Sequence, residues 1–310
     1  MNYKKLFIVG CGRSGTTWVW DIFKEHPLVI TDYESHLYDS IMQPHSEKNF
    51  ILEVIFLRPL WMKKILIKSF FTNKFKAGLR WEFVSNRFLA VKGLLSGWVD
   101  YDKFCRFVKE AISRKELNNI QRAELVIDEI LDDFFIRSGG KEGNILVEKT
   151  PRHILYGDYI LNHYLEAKII EVVRDGRDVC VSMKMLNRSW CPHSRKNQIK
   201  MWKKLIEAGI KLKSEESFAN RILQVRYEDI KKDPAKEIKR MFDFAGISTS
   251  VDKISKIINN TNFNNYKDRG KGTDKYKGVV GDWKNHFTEQ DKELFNKIAG
   301  DLMIKLGYKL

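Results

Sequence analysis

The sequence predicts an α/β fold in which a central, mostly parallel sheet is flanked by helices. Four short apolar segments are typical of strands, and each is followed by a helical or turn signal. At 310 residues the chain is also long enough to bury a sizeable core. The predicted strands cover residues 5–9, 144–148, 168–173 and 221–226. Because ligands bind at the carboxyl ends of the strands in such sheets, the segments after these strands are candidate sites.

The first strand is followed by a loop that is rich in glycine and hydroxyl groups. Residues 7–18 read FIVGCGRSGTTW, and the spacing of Trp18, Ile22 and Phe23 predicts a helix over 17–24. Glycines let backbone N–H groups approach an anion, and the first helical turn adds its unpaired donors and positive dipole end. The loop is therefore predicted to bind phosphate, the alternative being a purely structural turn. Its candidate ligands are Gly12, Arg13, Ser14, Gly15, Thr16 and Thr17.

The position of the basic residue argues against an ordinary ATP-binding loop. Gly10 and Gly15 fit the glycine spacing of that loop, but Thr16 stands where the ATP-type motif requires lysine. The basic group lies three positions earlier, at Arg13. This placement suits a ligand with a terminal 5′-phosphate that is bonded to a transferred group. A nucleotide kinase or nucleoside triphosphatase stays open as the alternative.

Residues 37–143 are expected to form a mainly helical insertion between the first two core strands, within one domain that spans 1–310. The segment 58–92 interleaves basic and aromatic residues, and only Glu82 opposes its positive charge. Such a segment could lie on a membrane surface or hold an acidic acceptor. The alternative is a helix with core aromatics on one face and solvated lysines on the other.

The third predicted strand leads into a second candidate phosphate site. Arg174 follows this strand, and Ser182 lies eight residues later in the predicted helix, so that a guanidinium and a hydroxyl could share one phosphate. After the fourth strand, residues 276–287 form a glycine-punctuated loop that could cover a nucleotide. An amphipathic helix over 288–307 is predicted to close the fold.

The composition indicates a globular protein that favours anionic ligands. Hydrophobic residues make up 43% and aromatic residues 12% of the chain, and its formal net charge is +15. The sequence has no stretch long and apolar enough for a membrane span and no secretory signal. Its cysteines show no disulfide framework, so a reducing, cytoplasmic setting is expected. Nucleic-acid-binding signatures are absent, which disfavours a basic binding module. Metal binding is not expected, because the four cysteines lack paired spacing: Cys11, Cys105, Cys180 and Cys191.

The loop at Gly10–Trp18, the Arg174–Ser182 segment and the 276–287 loop together resemble the sulfotransferases that use 3′-phosphoadenosine 5′-phosphosulfate (PAPS). The resemblance spans nearly the whole chain and implies a P-loop-like sulfotransferase fold. It mixes signatures of the cytosolic members with those of the tyrosylprotein and carbohydrate enzymes. The reaction it implies is transfer of a sulfuryl group from PAPS to an acceptor hydroxyl or amine, leaving adenosine 3′,5′-bisphosphate (PAP). A glycan, a lipid or a small metabolite is the expected acceptor.

The resemblance also implies which residues hold the donor. The loop residues Gly12–Thr17 would bind the 5′-phosphosulfate, and Arg174 and Ser182 would bind the 3′-phosphate together with Lys277 and Gly278. The adenine would contact Trp18, Tyr227, Thr261 and Phe263. The chain has Tyr276 where cytosolic members have arginine, and this difference should weaken the grip of the 276–287 loop on the 3′-phosphate.

Five residues are candidates for the chemistry itself. Arg13 and Lys149 are expected to stabilise the negative charge on the departing phosphate oxygen, although a surface lysine is the alternative for Lys149. Cytosolic members carry a histidine base two positions after that lysine, where this chain has Pro151. In the tyrosylprotein and several carbohydrate enzymes a glutamate lies 21 residues after the basic loop residue, which corresponds to Glu34. Glu34 is therefore the predicted general base, with His36 and His153 as alternatives.

Overall fold

The computed structural model describes residues 3–42, 97–186, 188, 190–262 and 278–310. The chain divides into two compact units. The larger unit comprises residues 3–31 and 143–310, and we call it the sheet unit. The smaller unit comprises residues 32–142, and we call it the inserted unit.

The sheet unit is built on five parallel strands in the order β2-β3-β1-β4-β5. This arrangement confirms the predicted α/β fold with a parallel sheet. The strands are β1 (Lys4–Gly10), β2 (Val29–Thr31), β3 (Ile145–Lys149), β4 (Lys168–Val173) and β5 (Ile222–Arg226). The four predicted strands agree with β1, β3, β4 and β5 to within one or two residues at each end.

The strand β2 was not predicted, and its presence corrects the position expected for the insertion. It has three half-buried residues, which is too short for an alternating pattern to reveal. It pairs with β3, so the first two strands in the sequence are β1 and β2, and residues 37–143 follow β2 rather than β1. Thr31 closes this edge by donating its hydroxyl to the Val147 carbonyl at 2.5 Å.

The order of the strands creates a crevice at the carboxyl ends of β1 and β4. From β1 the chain first adds β2 and β3 on one side, and then adds β4 and β5 on the other. When the side on which strands are added changes in this way, the loops after the two neighbouring strands diverge and leave a gap. Ligands of α/β proteins bind in this gap. The loop after Gly10 and the segment from Arg174 onward leave the sheet at this point.

Both faces of the sheet are covered by helices. Leu6 and Ile8 point to one face and Phe7 and Val9 to the other, and all four are buried. Side-chain caps define several helix starts; for example, the Ser194 hydroxyl accepts from the Asn197 N–H. The helices of the sheet unit are α1 (Thr16–Lys24), α5 (Gly157–His163), α6 (Gly176–Leu186), α7 (Arg195–Ser214), α8 (Tyr227–Lys232), α9 (Pro234–Ala245), α10 (Val251–Asn260) and α11 (Glu289–Lys305). Short 3-10 helices cover Pro151–Tyr156, Glu216–Arg221 and Asp282–Asn285.

The described part of the inserted unit contains helices α2 (Leu37–Ile41), α3 (Tyr101–Ser113) and α4 (Asn119–Arg137). Trp98 stacks on Phe134 with 4.2 Å between ring centroids, and Lys103 donates to Asp133 at 2.7 Å to join α3 to α4. The segment 58–92 lies outside the described residues. The mainly helical insertion within a single domain therefore stays a prediction.

No helix among the described residues has the length and apolar character that a membrane-spanning segment requires.

Candidate functional site

The loop between β1 and α1 is a tight turn at the carboxyl end of the central strand. The Ser14 N–H donates to the Cys11 carbonyl at 3.0 Å, and α1 begins immediately after Gly15. Arg13 has a left-handed backbone with a φ of 76°, which a residue with a side chain seldom adopts. The loop thus places the start of a nine-residue helix beside Arg13, an arrangement that suits an anion.

Two arginines meet at this loop from separate elements. The Nε of Arg13 donates to the Ser182 Oγ in α6 at 3.0 Å. Arg174, just after β4, donates from Nη1 to the Arg13 carbonyl at 3.3 Å. The resemblance implies different phosphate groups for Arg13 and Ser182, whereas in the structure these two side chains form a hydrogen bond with each other. The candidate 5′ and 3′ sites are therefore adjacent at this loop.

Buried polar atoms at the same place fit an anionic ligand. The Ser14 Oγ and the Arg174 Nε are buried and have no hydrogen-bond partner among the residues that the structure describes. An unpaired buried polar group costs about 1–3 kcal/mol, so a ligand that offers acceptor oxygens would satisfy both atoms. Burial and the charge of Arg174 also lower the pKa of Lys231, as expected where cations cluster.

Aromatic side chains pack beside the loop. The rings of Trp18 and Tyr227 lie 5.6 Å apart in an edge-to-face arrangement, and the Trp18 Nε1 donates to the Thr261 carbonyl at 3.1 Å. Tyr227 covers Gly15 closely, because a methyl group on Gly15 would lie 2.5 Å from Cδ2 of the ring. Three of the four residues predicted to contact adenine are thus neighbours. Phe263 lies outside the described residues.

Lys149 ends the strand β3 and is completely buried, so the surface-lysine alternative is wrong. It pairs with Ile8 across the strands, and this register brings it to the level of the loop. Its Nζ donates to the Thr17 Oγ1 at 3.4 Å and lies 5.7 Å from the centre of the Trp20 ring. Arg13, Thr17 and Lys149 therefore belong to one cluster at the end of the central strands.

His153 belongs to a buried network that supports the turn after Lys149. The ring of His153 is fully buried, and its Nδ1 lies 2.9 Å from the Glu148 Oε2. The Thr150 hydroxyl donates to the other oxygen of Glu148 at 2.6 Å. A histidine that is buried and bonded in this way suits a structural role better than proton transfer with an acceptor.

Glu34 and His36 lie in the inserted unit and form a pair of their own. The His36 Nε2 is 3.2 Å from the Glu34 Oε2, and its Nδ1 is 3.6 Å from an oxygen of Asp39. Burial alone would lower the pKa of His36, but hydrogen bonds and charges from Asp39 and Glu34 raise it to about 9. His36 is therefore protonated at neutral pH and forms ion pairs with the two carboxylates.

Residues 278–283, which we call the glycine loop, lie against the site. The Tyr227 hydroxyl donates to the Gly278 carbonyl at 2.7 Å, and the Arg174 Nη2 donates to the Val279 carbonyl at 2.8 Å. Lys277 lies outside the described residues. Sequence reasoning missed Asp178, whose two carboxylate oxygens accept from backbone N–H groups of this loop. An aspartate in the first turn of a helix is a weak signal that could have drawn attention to it.

A family model described as "Sulfotransferase domain" matches residues 3–307. The chain belongs to the sulfotransferase domain family. This membership confirms the resemblance drawn from the sequence, and it does not favour the nucleotide kinase alternative. The described residues include no group of three or more histidine, cysteine, aspartate or glutamate side chains that could hold a metal ion.

Curated relatives of this sulfotransferase-family chain are similar over parts of their length. Sulfotransferase 2A6 of Mus musculus is 26% identical over 193 residues, which is 53% of this chain and 65% of the relative. Sulfotransferase 1C2 of Homo sapiens is 35% identical over 94 residues, 26% of this chain and 32% of that protein. These matches therefore span about one third to two thirds of the relatives.

Solved structures share the fold over almost the whole chain. Mouse sulfotransferase SULT7A1 complexed with PAP has a TM-score of 0.52 at 15% identity and covers 97% of this chain and 86% of its own. The sulfotransferase domain from the Synechococcus PCC 7002 olefin synthase has a TM-score of 0.50 at 18% identity, covering 99% and 95%. At these identities the likeness supports the α/β fold.

Proposed function

We propose that this protein transfers a sulfuryl group from PAPS to an acceptor hydroxyl or amine. One observation carries the proposal: Arg13 and Arg174 converge with Ser182 on the loop at the end of the central strand. Two guanidinium groups and a hydroxyl at one turn suit a ligand with more than one phosphate-like group. Membership of the sulfotransferase domain family supports the choice of PAPS.

The residues present fit a nucleotide that carries two phosphate groups. The 5′-phosphosulfate would be held by Gly12, Arg13, Ser14, Gly15, Thr16 and Thr17. The 3′-phosphate would be held by Arg174 and Ser182, assisted by Lys277 and Gly278. The buried, unpaired Ser14 Oγ and Arg174 Nε support this fit. Stacking of adenine beside Trp18, Tyr227, Thr261 and Phe263 is supported by the cluster that the first three form.

PAPS would supply the sulfuryl group when it is bound. Arg13 and Lys149 are the cations that stabilise negative charge on the departing phosphate oxygen. The burial of Lys149 supports this role, because a charge acts more strongly where water is excluded. Its hydrogen bond to Thr17 ties it to the same loop that carries Arg13.

Glu34 is the proposed general base that takes the proton of the acceptor. The ion pair with protonated His36 supports this role, since it fixes the orientation of the Glu34 carboxylate. His36 would then act by positioning Glu34. Because His36 already carries a proton at neutral pH, it is the weaker candidate for the base. His153 is weaker still, because it is buried against Glu148.

The acceptor class and the location of the protein are proposed on less specific grounds. A glycan, a lipid or a small metabolite suits the proposed chemistry. Peripheral membrane contact through residues 58–92 is proposed together with a lipid acceptor. A cytoplasmic location is proposed from the sequence and from a relative that is named Cytosolic sulfotransferase 1, from Danio rerio. Nucleic acid is not proposed as a partner.

Transfer of label from [³⁵S]PAPS to a panel of glycan, lipid and small-molecule acceptors tests the proposal. Arg13→Ala should reduce both transfer and PAP affinity roughly 10- to 150-fold, since it removes a charged hydrogen-bond donor. Arg114→Ala is the matched control, because Arg114 is an exposed arginine paired with Glu116 in the inserted unit.

Thermal unfolding separates the kinase alternative from the proposed activity. PAP at about 100 times its Kd should stabilise the chain by about 2.7 kcal/mol, whereas Mg-ATP at the same concentration should stabilise it less. Stabilisation by Mg-ATP alone would contradict the proposed function.

A further inference from the structure

Asp178 connects the helix that follows Arg174 to the glycine loop. It lies in the first turn of α6, and only 2% of its surface is exposed. Its Oδ2 accepts from the Gly281 N–H at 2.7 Å, and its Oδ1 accepts from the Trp283 N–H at 2.9 Å. Both oxygens are therefore used to hold the backbone of a segment that is about one hundred residues away in the sequence.

A second contact holds the same segment from α6. The guanidinium of Arg177 lies 3.9 Å from the centre of the Trp283 ring, and it is itself fixed by a two-point ion pair with Asp175. Arg177 also donates to the Lys309 carbonyl at 2.7 Å near the C-terminus. The glycine loop is thus attached through the first turn of α6.

The anchored loop presents two carbonyl groups to the proposed donor site. The Val279 carbonyl accepts from Arg174 Nη2 and the Gly278 carbonyl accepts from the Tyr227 hydroxyl. The Arg13 carbonyl accepts from Arg174 Nη1 on the other side. The guanidinium is therefore fixed between two backbone segments, while its buried Nε has no partner in the described part of the chain.

The geometry points to Asp178 as a positioning residue for the 3′-phosphate subsite, acting through the glycine loop on Arg174. The inference rests on the proposed function, because it takes Arg174 as the ligand of the 3′-phosphate. Asp178 also forms an ion pair with Arg174, with 3.8 Å between Oδ2 and Nη2, which is beyond hydrogen-bond distance; Gly281→Ala, below, leaves this ion pair unaltered. By holding the glycine loop, Asp178 fixes the position of the Val279 carbonyl that accepts from the Arg174 guanidinium.

An asparagine at this position tests the role directly. The amide of Asp178→Asn can accept only one of the two N–H groups, and its NH₂ group then faces the other donor. The glycine loop loses one anchor, and Arg174 loses its fixed partner at Val279. We expect the affinity for PAP to fall roughly tenfold or more, because a buried donor is left unpaired.

Isothermal titration should compare PAP with adenosine 5′-monophosphate, which lacks the 3′-phosphate. Asp178→Asn should reduce the preference of the chain for PAP over the monophosphate, while the affinity for the monophosphate changes by less than about threefold. Asp158→Asn is the matched control. Asp158 is an exposed aspartate in the first turn of α5, and its substitution removes the same charge. It should leave the preference unchanged.

A second variant tests the same loop without altering Asp178 or Arg174. Gly281 has a φ of 79°, and a methyl group added there would meet no described atom within 4 Å. Gly281→Ala therefore disturbs the backbone of the glycine loop by strain alone. Gly281→Ala should also lower the preference for PAP over the monophosphate. It provides the test if Asp178→Asn does not fold.

The outcomes separate this inference from the proposed function. Equal loss of affinity for both nucleotides, or an unchanged preference in both variants, would overturn the role of Asp178 and leave the proposed function intact. A wild-type chain without any preference for PAP over the monophosphate would contradict the proposed 3′-phosphate site, and the role of Asp178 with it.

Discussion

Arg13 carries an unfavourable backbone conformation that its contacts offset. A left-handed φ costs a residue with a side chain on the order of 1 kcal/mol. In that conformation the Arg13 carbonyl accepts from Arg174, and its Nε reaches Ser182. Non-glycine residues in this region cluster at functional sites. The strain therefore agrees with a loop whose shape is set by binding rather than by local stability.

The positive charge on His36, which is paired with Glu34, depends on pH. The folded chain raises the pKa of His36 from 6.5 to about 9. The folded chain thus holds the proton of His36 more tightly than the unfolded chain does. The stability from this pair is complete below about pH 6.5 and is lost as the pH rises through about 9. At neutral pH Glu34 keeps a cationic neighbour.

The variant Glu34→Gln tests the proposed base at the scale of one residue. A glutamine keeps the size of the side chain but cannot take a proton, so kcat should fall roughly 10²- to 10⁴-fold. The Kd of PAP should stay within about twofold, because Glu34 is not among the proposed donor ligands. Initial rates at saturating PAPS measure kcat, and isothermal titration measures the Kd.

Glu110→Gln is the control for this substitution. Glu110 is an exposed glutamate of the same inserted unit, in the helix α3, and its replacement should leave both constants unchanged. Unchanged turnover in Glu34→Gln would move the base to His36 or His153.

At the scale of elements, the strand–loop–helix of the site depends on Gly15. The φ of Gly15 is 101°, and a methyl group there would lie 2.5 Å from the Tyr227 ring. Gly15→Ala should therefore both strain the loop and displace Tyr227 from Trp18. We expect a loss of about 1–3 kcal/mol in the free energy of unfolding and at least about tenfold weaker PAP binding. Urea unfolding and isothermal titration measure the two effects.

Gly143→Ala separates strain from the clash. Gly143 also has a positive φ, 86°, but a methyl group added there would have no described atom within 4 Å. This variant should lose about 1 kcal/mol of stability and keep the wild-type Kd for PAP. Equal PAP affinities in Gly15→Ala and Gly143→Ala would show that the contact with Tyr227 does not matter for binding.

The elements that carry a strong local pattern could be predicted from the sequence. The strands β1, β3, β4 and β5 each contain a short group of buried apolar residues, and α11 lies within one or two residues of the predicted 288–307. By contrast, β2 has three residues, and its pairing with β3 depends on a partner more than one hundred residues later. Local periodicity carries no information about such a pairing.

Site residues could be predicted from the sequence only where a side chain supplies the charge or the hydrogen bond. Arg13, Lys149 and Arg174 are visible in the sequence as basic residues at the ends of predicted strands or in the loops that follow them. The hydrogen bond between Arg13 and Ser182 joins residues 169 positions apart. The contacts of Asp178 and Arg174 with the glycine loop use backbone N–H and C=O groups, which every residue has. Such contacts have no signature in the sequence.

At the scale of the whole molecule, the sheet unit buries the carboxyl group of Glu171 within its central sheet. Glu171 lies in β4, has no measurable exposure, and accepts from the Gln224 Nε2 at 2.9 Å. Its other oxygen is buried without a hydrogen-bond partner among the described residues. Burial raises the pKa of Glu171 to about 7, against the smaller opposing effects of Gln224 and Lys213.

This group makes the stability of the fold depend on pH in a definite direction. The folded chain holds the Glu171 proton more tightly than the unfolded chain, whose glutamate titrates near 4.5. The cost of burying the charged carboxylate is thus absent below about pH 4.5, grows as the pH rises, and is complete above about pH 7. Glu171→Gln removes the titration and keeps an acceptor for Gln224. The free energy of unfolding of this variant, relative to wild type, should therefore rise between pH 5 and pH 8 by on the order of 2 kcal/mol.

Urea unfolding of both proteins at pH 5, 6, 7 and 8 measures this difference. Glu166→Gln is the control, because Glu166 is an exposed glutamate just before the same strand. The free energy of unfolding of this control should vary with pH in parallel with that of wild type. The Glu171→Gln variant could carry a constant offset from its buried amide, so only the change with pH bears on the prediction. A constant difference across the four pH values would mean that Glu171 stays ionised in the folded chain, and that the core of the sheet unit tolerates a buried carboxylate without a cost.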